Sequence, residues 1–283
     1  MIENFNELDH RKVLTFLPDR DPEGHKGTFG RILLLCGSKG YTGAAYLAAM
    51  GALRCGAGLV FLGVPESIYT IEAVKLNEPV VFSLPDECGI YHPSACDDIR
   101  ARLKGMDAVL IGCGMGQGSG PLAVLEMVLK EATCPVVLDA DGINLLQEHM
   151  DLLRGRKYPT VLTPHLGEFK RICVPGPDKT ASTVSLARDT GSIILLKGHR
   201  TVITDGSTVY RNPTGNPGMA TGGSGDVLAG MITALLGQGV SPLEAAACGA
   251  WLHGAAGDIC ARELGEYAML PSDMLNVLPR LLK

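Results

Sequence analysis

Charge is scarce in this sequence, and positive charge is the scarcer sign. Charged residues are 19% of the 283, against about 25% in an average soluble protein. The 25 Lys and Arg are outnumbered by 30 Asp and Glu, a net charge of -5, and no basic run occurs. Binding that tracks a nucleic-acid backbone is therefore not expected. The nine cysteines include no C-x-x-C pair, so zinc ribbons and thioredoxin-type redox sites lack their ligands. The opening MIENFNELDHRKVLTFLPDR is charged where a secretory leader would be apolar, and a reducing, cytoplasmic location is expected. Residues 43–65 carry a single charge, Arg54, over a length able to cross a bilayer. Gly56 and Gly58 break that stretch into a helix and a short strand, so it reads as buried core and no membrane contact is expected. Internal repeats, low-complexity tracts and long linkers are also missing.

Glycine and aliphatic residues are abundant: 36 glycines, and 46% of the chain hydrophobic. Short apolar runs recur at 31–36 (RILLLC), 59–64, 80–83, 107–113, 135–140, 160–163 and 192–197. Most are continuously apolar, as parallel strands covered on both faces are. Helical stretches at 43–55, 120–132, 180–190, 226–236 and 243–263 alternate with them. This order predicts a doubly wound, mostly parallel α/β sheet. TVITD (201–205) and TVYR (208–211) flank Gly206-Ser207 and predict a hairpin with a primed turn. Residues 1–25 read as an N-terminal extension, 26–283 as one domain, and 173–180 as an exposed loop.

Ligands of such sheets sit beyond the carboxyl ends of the strands. Here the strands run into GSKGYTGAA, GMGQGSG, DGIN, PHLGEF and GHRT, exits suited to an extended polar ligand bearing phosphates. G-x-x-x-x-G-K-[ST] is absent, which excludes a P-loop. Gly112, Gly114 and Gly116 have the first spacings of a dinucleotide fingerprint, but Gln117 stands where its third glycine belongs. The strongest signal is Thr221-Gly222-Gly223-Ser224-Gly225-Asp226 opening an apolar helix. Glycines let successive N–H groups turn inward, and the helix N-terminus adds its positive end, making an anion hole. A carboxylate in the same turn is placed to take a proton from a hydroxyl while the hole holds a phosphoryl group.

GSGD opening a helix resembles the glycine–Asp signature of ribokinase-like enzymes. Taken with GRILLLCGSKGYTGAAYLAA, LDADGINLL, LTPHLGEF, LLKGHRTVI, NPTGNPGMATGGSGDVLAG and LHGAAGD, the chain resembles the ADP/ATP-dependent NAD(P)H-hydrate dehydratases over about residues 25–275. That resemblance implies a three-layer αβα sandwich. It also implies a lyase that phosphorylates the C6 hydroxyl of the S epimer of hydrated NADH or NADPH, so that phosphate leaves and the dihydropyridine returns. The nucleotide implied is ADP, less favourably ATP, together with Mg²⁺. Asp226 takes the place of the catalytic base and a substrate contact, with Gly223, Ser224 and Gly225 as the anion hole. Lys197, Gly198, His199, Arg200, Thr201 and Gly225 match nucleotide contacts. Ala44, His165, Asn216 and one of Gly114 and Gly116 match the substrate side. Glu168 stands where a glutamate orders water around Mg²⁺; Asp139 and Asp141 suit either the same ion or capping of the helix near Ile143. Cys113 stands where the family often has proline. A homotetramer and a separate epimerase acting on the R form complete the expectation. A small-molecule kinase of the same superfamily, acting on a vitamin-precursor alcohol, is the alternative that shares Asp226.

Overall fold

A computed structural model describes residues 5–282. Twelve strands lie among the described residues: β1 (Asn6–Glu7), β2 (Arg31–Leu35), β3 (Leu59–Pro65), β4 (Val80–Leu84), β5 (Asp86–Glu87), β6 (Ile90–Tyr91), β7 (Ala108–Ile111), β8 (Val136–Leu138), β9 (Thr160–Leu162), β10 (Ile193–Leu196), β11 (Val202–Thr204) and β12 (Val209–Arg211). The helices are α1 (His10–Leu14), α2 (Thr42–Arg54), α3 (Glu66–Lys75), α4 (Ala95–Leu103), α5 (Ser119–Glu131), α6 (Asp141–Asn144), α7 (Leu166–Ile172), α8 (Lys179–Thr190), α9 (Ser224–Gly237), α10 (Pro242–Leu264) and α11 (Pro271–Leu281). Ten strands form one sheet, in the order β1-β12-β11-β10-β9-β8-β7-β2-β3-β4. Only the β10–β11 and β11–β12 pairs in it are antiparallel.

The continuous apolar runs are explained by burial on both faces. Ile32, Leu34, Val60, Leu62, Ala108, Leu110, Val137 and Leu195 point to a core shared with α2, α9, α10 and α11. Their neighbours Leu33, Leu35, Val109, Ile111, Val136, Leu138 and Ile194 point to a second core under α4, α5, α7 and α8. Three layers follow from this alternation. Among the described residues no helix is long and apolar enough to cross a membrane.

Helix α9 is pinned to α2 by small residues. A Cβ on Gly51 would lie 2.5 Å from the Val227 carbonyl oxygen, and one on Gly230 would overlap the Ala48 carbonyl. Backbone therefore meets backbone, and the N-terminus of α9 is fixed against the sheet.

Two local expectations are corrected. The hairpin pairs Thr204 with Val209, so its loop has four residues and not two. Asp205 organises it by accepting from the N–H groups of Ser207 and Thr208, at 2.8 and 2.7 Å, and only Gly206 takes a positive φ. A primed two-residue turn is not needed where an Asp side chain closes a wider one. The N-terminal segment, from residue 5 on, is integrated into the fold. β1 pairs in parallel with β12, and Leu8 and Val13 lie buried in the main core; residues 1–4 lie outside the described residues.

Candidate functional site

The sheet changes direction between β2 and β7, since connections lead away from this pair on both sides. A crevice at the carboxyl ends of such strands is the expected ligand position. The two exits are tied together there: Gly37 N–H donates to the Cys113 carbonyl at 2.8 Å, and the Ser38 hydroxyl donates to the Gly114 carbonyl at 2.8 Å.

β8, β9 and β10 end beside this point in Asp139, Thr163 and Lys197. Lys197 Nζ lies 2.6 Å from Asp139 Oδ1 and 3.9 Å from Glu168. The Thr163 hydroxyl donates to the same Asp139 oxygen at 2.6 Å, and Cys113 Sγ reaches Asp139 Oδ2 at 3.7 Å. Burial works to lower the Lys197 ammonium, but Asp139 and Glu168 outweigh it and hold it above its ordinary value. Ala140 follows Asp139 with φ 49° and ψ -114°, a costly conformation for a residue with a Cβ. This kink ends β8 and turns Asp141 to accept from the Gly116 N–H at 2.9 Å.

α9 enters from above. Gly223 precedes it with φ 98°, a region open chiefly to glycine. The N–H groups of Gly225 and Asp226 have no acceptor among the described residues, as the first turn of a helix leaves them. A Cβ on Gly225 would lie 3.2 Å from Lys197 Nζ and 3.7 Å from Asp139 Oδ2, so this glycine covers the ion pair. Asp226 is half-buried in the same turn. Ligand atoms of Cys113, Asp139 and Asp226 all lie within 4.8 Å of one another. Burial and the nearby Asp139 charge raise the Asp226 carboxyl from 3.8 to about 6, against a Cys113 hydrogen bond and Lys197, which lower it. The Cys113 thiol itself is held protonated by its bond with Cys36, by burial and by the two carboxylates.

The remaining sequence candidates fall as follows. His165 lies beside Lys197 through a parallel bridge. Its Nδ1 accepts from the N–H groups of Gly167 and Glu168, at 2.9 and 3.2 Å, and so caps α7. Glu168 completes a capping box, its Oε2 accepting from the His165 N–H at 2.8 Å while Oε1 lies 3.3 Å from His165 Nε2. Neither Asp139 nor Asp141 caps α6, whose N-cap is Ala140 with no side-chain bond. Gly114 faces Tyr41 and Ala44, a Cβ there lying 2.8 and 2.9 Å from their Cβ atoms. Gly116 has its N–H engaged by Asp141 and faces Ile90. Gly198, His199 and Arg200 are exposed on the β10–β11 loop, with the Thr201 hydroxyl bonded to the Gly198 carbonyl at 2.9 Å. Asn216 starts a short turn by accepting from the Gly218 N–H at 3.0 Å. A cavity of about 530 Å³ opens at the start of α2, lined by Lys39, Gly40, Thr42, Ile68, Asp86 and Gly89 among others; neither Asp226 nor Lys197 lines it.

Direct Mg²⁺ ligation by Glu168 or by Asp139 Oδ1 does not fit this arrangement. Asp139 Oδ1 is engaged by Lys197 and Thr163, and both Glu168 oxygens face His165. The sequence reading missed Thr163, the role of Asp141, and His253 and Asp258, two α10 residues that reach the site loops. LHGAAGD, which contains both, was the signal available.

The family profile described as NAD(P)H-hydrate dehydratase matches residues 32–280. The chain belongs to the NAD(P)H-hydrate dehydratase family. It is 45% identical over 275 residues to a bifunctional NAD(P)H-hydrate repair enzyme of Moorella thermoacetica, covering 94% of this chain and 52% of that one. It is 37% identical to the ADP-dependent (S)-NAD(P)H-hydrate dehydratase of Neisseria meningitidis, covering 89% of this chain and 84% of that one. The ADP/ATP-dependent dehydratase of Bacillus subtilis, co-crystallised with ATP/Mg²⁺, superposes with a TM-score of 0.83 at 31% identity, over 99% and 98% of the two chains. The chain spans about half the length of the bifunctional relatives it matches.

Proposed function

We propose that this dehydratase-family chain uses ADP, or ATP, to dehydrate the S epimer of hydrated NADH or NADPH. The observation that carries the reading is Asp226, a carboxyl raised to about 6, in the same helical turn as the free N–H groups of Gly225 and Asp226. A base with an affinity for protons near that of its medium is effective in proton transfer. In this reading Asp226 takes the proton of the C6 hydroxyl as its oxygen bonds to the terminal phosphorus and the P–O bond to the departing nucleotide breaks. The N–H groups of α9 and Lys197 balance the charge of the phosphoryl group in transfer. The ring nitrogen lone pair then expels phosphate from C6, and loss of a proton from C5 restores the C5–C6 double bond.

Ala44 and Gly114, which face one another, supply a close-fitting wall for substrate, and the cavity at the start of α2 gives it length. His165, fixed by its cap, and Asn216 complete that side; Gly198 to Thr201 border the nucleotide. Glu168 and Asp139 would hold a nucleotide-bound Mg²⁺ through water, in keeping with that ion's preference for phosphate and water oxygens, and the ion would offset phosphate charge there. Supply of the S epimer from the R form is a separate isomerisation by another catalytic unit. Exposed Tyr69 and Val74 on α3 offer apolar surface for a tetrameric assembly, which sedimentation tests.

The deciding experiment incubates purified S-hydrate with ADP, ATP or no nucleotide. Nucleotide-dependent return of reduced-nicotinamide absorbance with free phosphate is the expected result. Accumulation of a stable phosphorylated alcohol from another substrate, with no reaction of the hydrate, would assign a kinase instead.

A further inference from the structure

The LHGAAGD segment of α10 has no part in the chemistry described above, yet its side chains reach two loops of the site. His253 is buried, 7% exposed, and its Nε2 lies 3.3 Å from the Ser224 hydroxyl. Ser224 is the first residue of α9 and is equally buried. Five residues along, Asp258 accepts from the Gly215 N–H through Oδ2 and from Asn216 Nδ2 through Oδ1, both at 3.0 Å. The packing between α10 and this second loop leaves no slack. The Thr214 hydroxyl lies 3.0 Å from the Trp251 carbonyl, and a Cβ on Gly254 would overlap Thr214.

One rigid helix thus grips the turn that presents the anion hole and the loop proposed to shape the substrate side. We propose that His253 and Asp258 are positioning residues, which together hold the α9 N-terminus in register with the 214–218 loop. Neither touches reacting atoms. Their contribution is to keep the hydrogen-bond donors of α9 where charge develops, and small misplacement of such groups is expensive in rate. The inference rests on the functional reading above.

The test compares His253→Leu, His253→Gln, Asp258→Asn and Ser224→Ala with the unmodified chain, measuring kcat and each KM separately. Hydrogen exchange of the Ser224–Asp226 amides is followed in parallel. His253→Leu should lower kcat about 100-fold with the nucleotide KM little changed, and His253→Gln, which keeps a polar group in reach of Ser224, should recover much of that loss. Asp258→Asn should raise the hydrate KM about tenfold with the smaller effect on kcat. Amides at the start of α9 should exchange faster in His253→Leu and in Ser224→Ala, which breaks the same bond without placing a new side chain in the core. Unchanged kcat and unchanged exchange in a folded His253→Leu or Ser224→Ala would overturn the proposal, as would a Gln variant no better than Leu. If the unmodified chain fails to turn over the hydrate, the functional reading falls, while the exchange rates still decide whether α10 orders the turn.

Discussion

Replacing Asp226 by Asn separates catalysis from stability, because the same burial that makes a useful base also costs folding energy. The carboxyl is raised from 3.8 to about 6, first by burial and then by Asp139. A group that binds protons more tightly when folded contributes most stability below its unfolded value and loses it as pH rises through its folded value. At about 1.4 kcal/mol for each tenfold change in proton affinity, the displacement costs the folded chain about 3 kcal/mol at pH 7. Asn keeps the shape and an acceptor for Cys113 but carries no charge. Asp226→Asn should therefore be the more stable protein at pH 7 by about 1–3 kcal/mol. With unfolding entropy of about 2.1 cal/mol/K per residue, the upper figure is a Tm higher by about 5 °C. The advantage should shrink as pH falls through 6 towards 3.8. Reading the difference between the two proteins matters, because His253, lowered to about 4 chiefly by burial, makes both of them less stable on acidification. Turnover should drop by about 10²–10⁴-fold or more, while the unsubstituted enzyme loses activity about tenfold per pH unit below 6. Thermal unfolding at several pH values and hydrate turnover are the two assays. An Asn variant that is destabilised at pH 7, or that retains full turnover, would refute the reasoning.

Two further substitutions probe the surroundings of Asp226. Lys197→Met leaves Asp139 and Glu168 buried without their partner, so denaturant unfolding should show a loss of about 3 kcal/mol, with a marked rise in nucleotide KM. Gly225→Ala places a methyl 3.2 Å from Lys197 Nζ, in the space assigned to phosphate; nucleotide affinity by calorimetry should fall while the Tm changes little, since the position is helical.

Much of this was legible in local pattern. The apolar runs ending in Cys36, Asp139, Thr163 and Lys197 placed each strand, because burial on both faces leaves no alternation to misread. The glycines before Asp226 pointed to the turn that opens α9, since the φ that Gly223 adopts is open chiefly to glycine. What stayed hidden depends on residues distant in sequence or on backbone geometry without a signature. The pairing of Asn6–Glu7 with β12 crosses some two hundred positions, and the Ser224–His253 contact joins two helices that share no pattern. Ala140 gives no warning of a positive φ, because the surrounding structure, and not its own preference, imposes it. Glu168 was placed at the ion's water shell because it stands where ribokinase-like enzymes carry a glutamate; the x-x-Glu spacing after His165 was the missed sign that its oxygens also cap α7.

Burial contributes most to the raised Asp226 carboxyl, and Lys197, shared unequally between its acidic neighbours, adjusts the rest. Asp139 holds the ammonium at 2.6 Å, whereas Asp226 feels both the repulsion of Asp139 and only a partial attraction from Lys197. Asp139→Asn removes the repulsion and frees the lysine to turn towards Asp226, and both changes favour the carboxylate. The folded-state value of Asp226 should then fall below 6, and the acid limb of the pH–rate profile should move to lower pH by about one unit, a shift worth about 1.4 kcal/mol. The rate on the neutral plateau should fall as well, because a weaker base takes the hydroxyl proton less readily. An acid limb that stays in place would show that burial alone sets Asp226; one that moves upward would show that Asp139 holds Lys197 where Asp226 needs it.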